Sequence, residues 1–140
     1  MLAYGKGTAT AVSALSALAE LYSDPAARAS APQIAQKRKL SRPLVAKILT
    51  IVSRAGFVEG TPGPGGGYRL SHDPASISLY EIAKLFEQVE GEIQCPYGPG
   101  WCGNHEPCPL HDTLLEIHDQ MMERLKGTTL AGFCKTKPGK

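Results

Sequence analysis

The sequence contains no uninterrupted apolar run approaching the roughly 18 residues of a membrane-spanning helix. Its first residues also lack the basic region, apolar core and small-residue cleavage site of a secretory signal. These absences predict a cytoplasmic protein without a membrane partner. No nucleophile paired with a base, and no pair of carboxylates in a recognisable setting, can be assembled from it, so no enzyme is expected. Acids are scarce in one half only. Residues 1–70 hold nine Lys and Arg against three acids, a net of +6, whereas residues 71–140 hold six against ten, a net of −4. The first half is expected to meet a polyanion and the second is not. Cysteine is sparse but clustered, three of the four lying within residues 95–108. In a reducing cytosol that arrangement reads as metal ligands or redox groups rather than a disulfide framework. With 140 residues, the chain can build one compact unit with an appendage, not two independent cores.

What is present in the first half is a set of short helices. Small and apolar residues recur at helical spacing from Thr8 to Tyr22, and Asp24-Pro25 ends that pattern. Ser30 stands three positions before Gln33, the reciprocal capping arrangement, so a short helix is expected over about 31–38. Ser41 caps a third helix that runs to Arg54, where Ala55-Gly56 stops it. Projected at 100° per residue, this third helix divides cleanly. Leu44, Val45, Ile48, Leu49, Ile51 and Val52 fall on one side; Arg42, Pro43, Ala46, Lys47, Thr50, Ser53 and Arg54 fall on the other. An amphipathic helix with a basic face is commonplace by itself. Preceded by a short capped helix and a tight turn at Lys39-Leu40, it forms a helix-turn-helix, whose second helix enters a major groove.

Next come two alternating segments, Phe57-Val58-Glu59 and Tyr68-Arg69-Leu70, joined by Gly60-Thr61-Pro62-Gly63-Pro64-Gly65-Gly66-Gly67. They predict a β-hairpin whose glycine-rich tip can come close to a nucleic-acid backbone. No Gly-Lys-Ser/Thr ending follows, which excludes a P-loop, and a strand stands where a dinucleotide-binding helix would open. In the second half, Ser78 with Glu81 caps a helix packed through Leu79, Ile82, Ala83, Leu85, Phe86 and Val89. From Asp112 to Lys126, Leu114, Leu115, Ile117, His118, Met121, Met122 and Leu125 form an apolar stripe too long for so small a core. A two-fold partner helix would bury it.

Between these helices Cys95, Cys102, Cys108 and His111 are separated by six, five and two residues. Structural zinc usually brings a tight C-x-x-C knuckle, absent here; an open loop rich in Gly and Pro suits the larger iron-sulfur cluster better. His105 is a further imidazole inside the loop, and Cys134, near a basic tail, stands outside the ligand set.

Lys6-Gly7, Arg54-Ala55-Gly56-Phe57-Val58 and above all Gly63-Pro64-Gly65-Gly66-Gly67-Tyr68-Arg69-Leu70 resemble the Rrf family of bacterial regulators, which includes IscR, NsrR and RirA. The likeness continues through Ser78-Leu79-Tyr80-Glu81-Ile82 and the cysteines to Thr129-Leu130-Ala131, nearly the whole chain. It implies a mostly α fold with a small β-hairpin wing: a winged helix-turn-helix with a long C-terminal dimerisation helix, forming a homodimer that reads a palindromic operator. It also implies that Cys95, Cys102 and Cys108 ligate an iron-sulfur cluster, 2Fe-2S favoured and 4Fe-4S the alternative. Some members place a histidine ligand where His111 stands; others use an acid near the start of helix one of the other subunit, and Thr8 occupies that position here.

The expected organisation is a DNA-binding domain over 1–75, then a linker helix, an iron-sulfur loop (92–111) and a dimerisation helix within 76–134, and a disordered basic tail over 135–140. Lys37, Arg38, Lys39 and Arg54 would contact mainly phosphate, with Ser41, Gly65, Gly66 and Tyr68 also at the duplex. Arg42, Pro43, Ala46, Lys47 and Thr50 lie nearest base edges. The function expected is a transcription regulator, acting as a repressor, whose operator binding follows the cluster's response to iron, nitric oxide or redox state. The rivals are a cluster-free or zinc-binding regulator answering to a small molecule, and an iron-sulfur electron carrier, which would leave the helix-turn-helix and wing unexplained.

Overall fold

The structure, a computed structural model, describes residues 5–87 and 107–134. Cys95, Cys102, His105, Val89 and the tail 135–140 lie outside the described residues. The described chain is mostly helical with one two-stranded antiparallel hairpin. Helix α1 spans Lys6–Ala19 and its small residues let neighbours come close: Ala11, Ala14 and Leu15 are wholly buried. It ends earlier than the periodicity suggests. Arg69 donates to the carbonyl oxygens of Tyr22 (3.1 Å) and Asp24 (2.9 Å) and its guanidinium lies 4.8 Å from the Tyr22 ring centre, so these carbonyls serve the hairpin.

Helices α2 (Ala31–Arg38) and α3 (Arg42–Arg54) form the helix-turn-helix. Ser30 Oγ accepts from Gln33 N–H and Gln33 Oε1 accepts from Ser30 N–H, the predicted reciprocal cap. The turn between the helices depends on Lys39, which sits in the left-handed region at φ 56°, while Leu40 N–H closes onto Ala35 O at 2.8 Å. Val45, Ile48, Leu49 and Val52 of α3 are buried against α1 and α2, so burial of these four, worth roughly 1.5–3 kcal/mol each, holds α3 in place and fixes which face is outward.

Strands β1 (Val58–Thr61) and β2 (Gly67–Leu70) pair with Val58 opposite Leu70 and Thr61 opposite Gly67. Val58 and Leu70 enter the core, and the rest of β1 stands exposed as a wing. The wing's base is stitched to the chain before α2: Tyr68 N–H donates to Ala29 O at 2.7 Å and Ala29 N–H to Tyr68 O at 3.1 Å. Gly67, at φ 137°, makes that approach possible, since a Cβ there would lie 2.7 Å from the Ala29 carbonyl carbon.

Helix α4 (Leu79–Phe86) carries the second reciprocal cap, between Ser78 and Glu81. Helix α5 (His111–Gly127) packs on it through His118, Met122 and Leu125, with the Lys126 ammonium 4.7 Å from the Tyr80 ring centre. After α5 the chain returns beside α4's start: Leu79 N–H donates to Thr128 O (2.9 Å) and Leu130 N–H to Ile77 O (3.0 Å). Leu130 is fully buried in the same apolar cluster as Ala11, Ile48 and Ile82, so a single core joins both halves of the chain.

Candidate nucleic-acid interface and ligand cluster

The outward face of α3 is cationic. Arg42, Pro43, Ala46, Lys47, Thr50 and Arg54 are all exposed, and α3 contains no acid. Among the described residues none of its three cations forms an ion pair, so all three are available to an external anion. Ser41, ahead of them, is exposed and its hydroxyl accepts from Leu44 N–H (3.4 Å), which holds the first turn of α3. Thr50 Oγ1 donates back to Ala46 O (3.0 Å).

The preceding cations divide by burial. Lys39 is exposed beyond the end of α2, and Lys37 is exposed while its ammonium lies 3.0 Å from Glu20 Oε1. Arg38 is placed otherwise than the sequence suggests. Its side chain is only 9% exposed; it pairs with the buried Glu20 at 3.1 Å, and its Nε donates to Ser16 Oγ (3.1 Å) and Ser13 O (3.3 Å). The expectation of a phosphate contact is corrected accordingly, since the guanidinium ties α2 to α1. Local periodicity could not reveal this because Glu20, its partner, belongs to another element.

The wing tip has the conformations its composition implies. Gly63 and Gly65 lie at φ 88° and 74°, Gly66 N–H donates to Gly63 O at 3.0 Å, and a Cβ on Gly66 would meet the Thr61 carbonyl oxygen at 2.1 Å. Gly65 is exposed at this tip, whereas Gly66 and Tyr68 are half-buried nearer its base. Arg69, a wing cation, is engaged inward on Tyr22 as described above, a role the sequence reading did not assign.

Two of the four predicted ligands, Cys108 and His111, lie at the start of α5. Cys108 is buried, two residues ahead of the Leu110 N-cap of α5, and half-buried His111 opens the helix, its N–H donating to Cys108 O at 3.0 Å. A sulfur and an imidazole at one helix start suit a soft cluster metal. Cys95 and Cys102 lie outside the described residues, and no group of three or more potential ligands occurs among those described. Two polar groups outside the predicted site residues also lie in or against the interior. His118 is buried with no hydrogen-bond partner at Nδ1, and Glu87 accepts two hydrogen bonds from the start of α1.

Comparison with known proteins places this architecture. A family model described as Rrf2, iron-dependent transcriptional regulator, matches residues 5–136. The chain is 33% identical over 122 residues to a Rhodopseudomonas palustris protein named as the HTH-type transcriptional regulator BadM, covering 86% of this chain and 76% of that one. It is 26% identical over 97 residues to the HTH-type transcriptional regulator IscR of Escherichia coli, covering 69% of this chain and 59% of that one. Among solved structures, the fold is similar to that of CymR, the global cysteine regulator of B. subtilis (TM-score 0.73, 23% identity, 94% of this chain and 95% of that one). It is also similar to T. potens IscR (TM-score 0.69, 21% identity, 91% and 82%). The named relatives are transcription regulators, not enzymes.

Proposed function

As the chain belongs to the Rrf2 family of transcriptional regulators, we propose that it is a cytoplasmic repressor whose binding to a palindromic operator is set by an iron-sulfur cluster. Its DNA-binding part is the winged helix-turn-helix over residues 1–75; residues 76–134 carry the sensor and the dimer helix. The exposed, acid-free face of α3 supports the DNA-reading role, with Arg42, Lys47 and Thr50 nearest base edges and Lys37, Lys39 and Arg54 on phosphate. Ser41, Pro43 and Ala46 line the same face, and Gly65, Gly66 and Tyr68 bring the wing to the backbone.

The observation that carries the sensing half of the reading is the position of Cys108 and His111 at the start of α5, where His111 N–H donates to Cys108 O. With Cys95 and Cys102 these residues would hold a cluster, 2Fe-2S being the type that mixed Cys/His ligation favours. The cluster, when bound, supplies a centre that iron supply, nitric oxide or oxidation can alter. The chain's own part is to turn such a change into geometry. Cys108 and His111 sit where α5 begins, so a changed ligand set shifts the start of the helix through which two subunits meet.

Leu110, Leu114, Ile117 and Met121 support the homodimer, because they follow one another at four-, three- and four-residue steps on one face of α5. Leu110 and Ile117 are 44% and 42% exposed in the single chain, a stripe that a two-fold copy would cover. Two half-sites must fit at once, so a small rotation between subunits is enough to lose the operator.

The test is spectroscopic. Protein purified without oxygen is expected to be brown, with a visible and Mössbauer spectrum of an iron-sulfur centre that His111→Ala alters. Colourless protein holding stoichiometric zinc after reconstitution with iron and sulfide would overturn the sensing half and leave a cluster-free regulator.

A further inference from the structure

Helix α1 starts without a cap of its own. Its N-cap is Gly5, which has no side chain, and its first turn contains no acid. The missing acceptor comes from far along the chain. Glu87, the residue after α4, places Oε2 2.8 Å from Gly5 N and 2.6 Å from Thr8 Oγ1, accepting from both, and Thr8 is wholly buried. The surroundings are shaped for this contact: a Cβ on Gly5 would lie 2.9 Å from that same oxygen, and one on Gly7 would touch Phe86 at 3.4 Å. Glu87 is itself anchored, its N–H donating to Ala83 O at 2.8 Å.

Position is what distinguishes this cap from an ordinary one. A Ser or Asp at residue 5 would accept from N–H groups within the first turn, whereas Glu87 accepts from the N–H of Gly5 itself and from the Thr8 hydroxyl, as the third-position acid of a reciprocal cap does. Glu87 lies eight residues before Cys95 in the sequence. From α1 the connection continues without a gap: Glu20, at its end, pairs with Arg38, whose Nε also bonds Ser16 Oγ and Ser13 O, and α2 is joined to α3 by the Lys39 turn.

We propose that Glu87 is a positioning residue that couples the cysteine-bearing segment to the DNA-reading helices, by fastening the end of α4 to the first turn of α1 through Gly5 and Thr8. This rests on the reading of that segment as the sensor. A change of ligand set there pulls on the clasp, and the Glu20–Arg38 tie passes the shift of α1 to the helix-turn-helix. The same contact that caps α1 thus makes its position depend on the cluster.

The experiment compares wild type, Glu87→Ala and Thr8→Val, each loaded with iron and sulfide without oxygen and each stripped with chelator. Two quantities are read: affinity for a duplex selected from a random pool by wild-type protein, and amide hydrogen exchange over residues 5–12. In wild type, loading is expected to change affinity at least tenfold and to change exchange over 5–12. In Glu87→Ala the affinity ratio is expected to fall below threefold with the visible spectrum retained; Thr8→Val, which keeps the shape of the side chain, is expected to fall between. Combining both substitutions is expected to add little, since they remove one shared contact. A full tenfold ratio in both variants, with only a lower melting temperature, would reduce the clasp to a cap and overturn the proposal. So would exchange over 5–12 that ignores loading while affinity responds. If wild type itself binds equally in both states, the sensing function fails first, visibly without any substitution, and the coupling fails with it.

Discussion

Lys47 and Arg38 carry the same charge and lie on adjoining helices, yet their surroundings give them opposite duties. Lys47 is exposed on a face without acids; Arg38 is enclosed with Glu20, whose side chain is 4% exposed. Lys47→Ala is expected to weaken DNA binding about five- to tenfold and to lower the salt dependence of log Kd by about one charge, with melting unchanged. Arg38→Ala should act on stability instead. It takes the guanidinium away from a buried carboxylate that Lys37 also contacts, so a loss of about 3 kcal/mol is expected in urea unfolding, near the lower end for a broken buried pair. Unchanged unfolding in Arg38→Ala would mean that Glu20 finds another partner. The helical projection put Lys47 on the outward face, where the structure has it, because that signal lies within α3. It could not separate Arg38 from its cationic neighbours, because the difference is made by a residue on α1. Glu87 escaped for the same reason: its partners are at the other end of the chain.

At the scale of elements, legibility followed how local the cause is. The caps at Ser30, Ser41 and Ser78 and the glycine-rich wing tip follow from residues within a few positions, and the structure has them. The end of α1 differs because the N–H groups of Leu21 and Tyr22 bond three residues back, to Leu18 O and Ala19 O, which tightens the chain out of the α-helix. The pairing of Ala29 with Tyr68 was likewise invisible, being a contact between an irregular segment and a strand. Helix α5 has the predicted periodicity, but its buried side is the minority: His118, Met122 and Leu125 face α4, while Leu115 and Ile117 stay exposed. Ile117→Glu puts a charge into the proposed two-fold contact without touching the core. The expected outcome is a monomer by sedimentation at concentrations where wild type is a dimer, with helix content kept and DNA affinity down at least tenfold because paired half-sites are lost. A dimer of unchanged stability would move the contact to another surface.

For the molecule as a whole, the separation of charge along the chain matches the separation of the proposed roles. The basic half builds the helix-turn-helix and wing; the acidic half holds the Cys108–His111 pair and the apolar stripe of α5. One core connects them, with Leu130 buried beside α1, so the two halves cannot move independently. Family membership and fold were readable from the wing motif, because glycines at positive φ leave few alternatives in sequence. The signal sensed was not, because thiol and imidazole spacing specifies a ligand set rather than a potential. The most direct measurement is the affinity of one protein preparation for its selected duplex, at fixed salt, before and after its iron-sulfur centre is removed anaerobically by chelator and then restored with iron and sulfide. The account predicts at least a tenfold change in Kd that reverses on restoration. Equal Kd values in a protein whose spectrum shows the centre leaving and returning would contradict it.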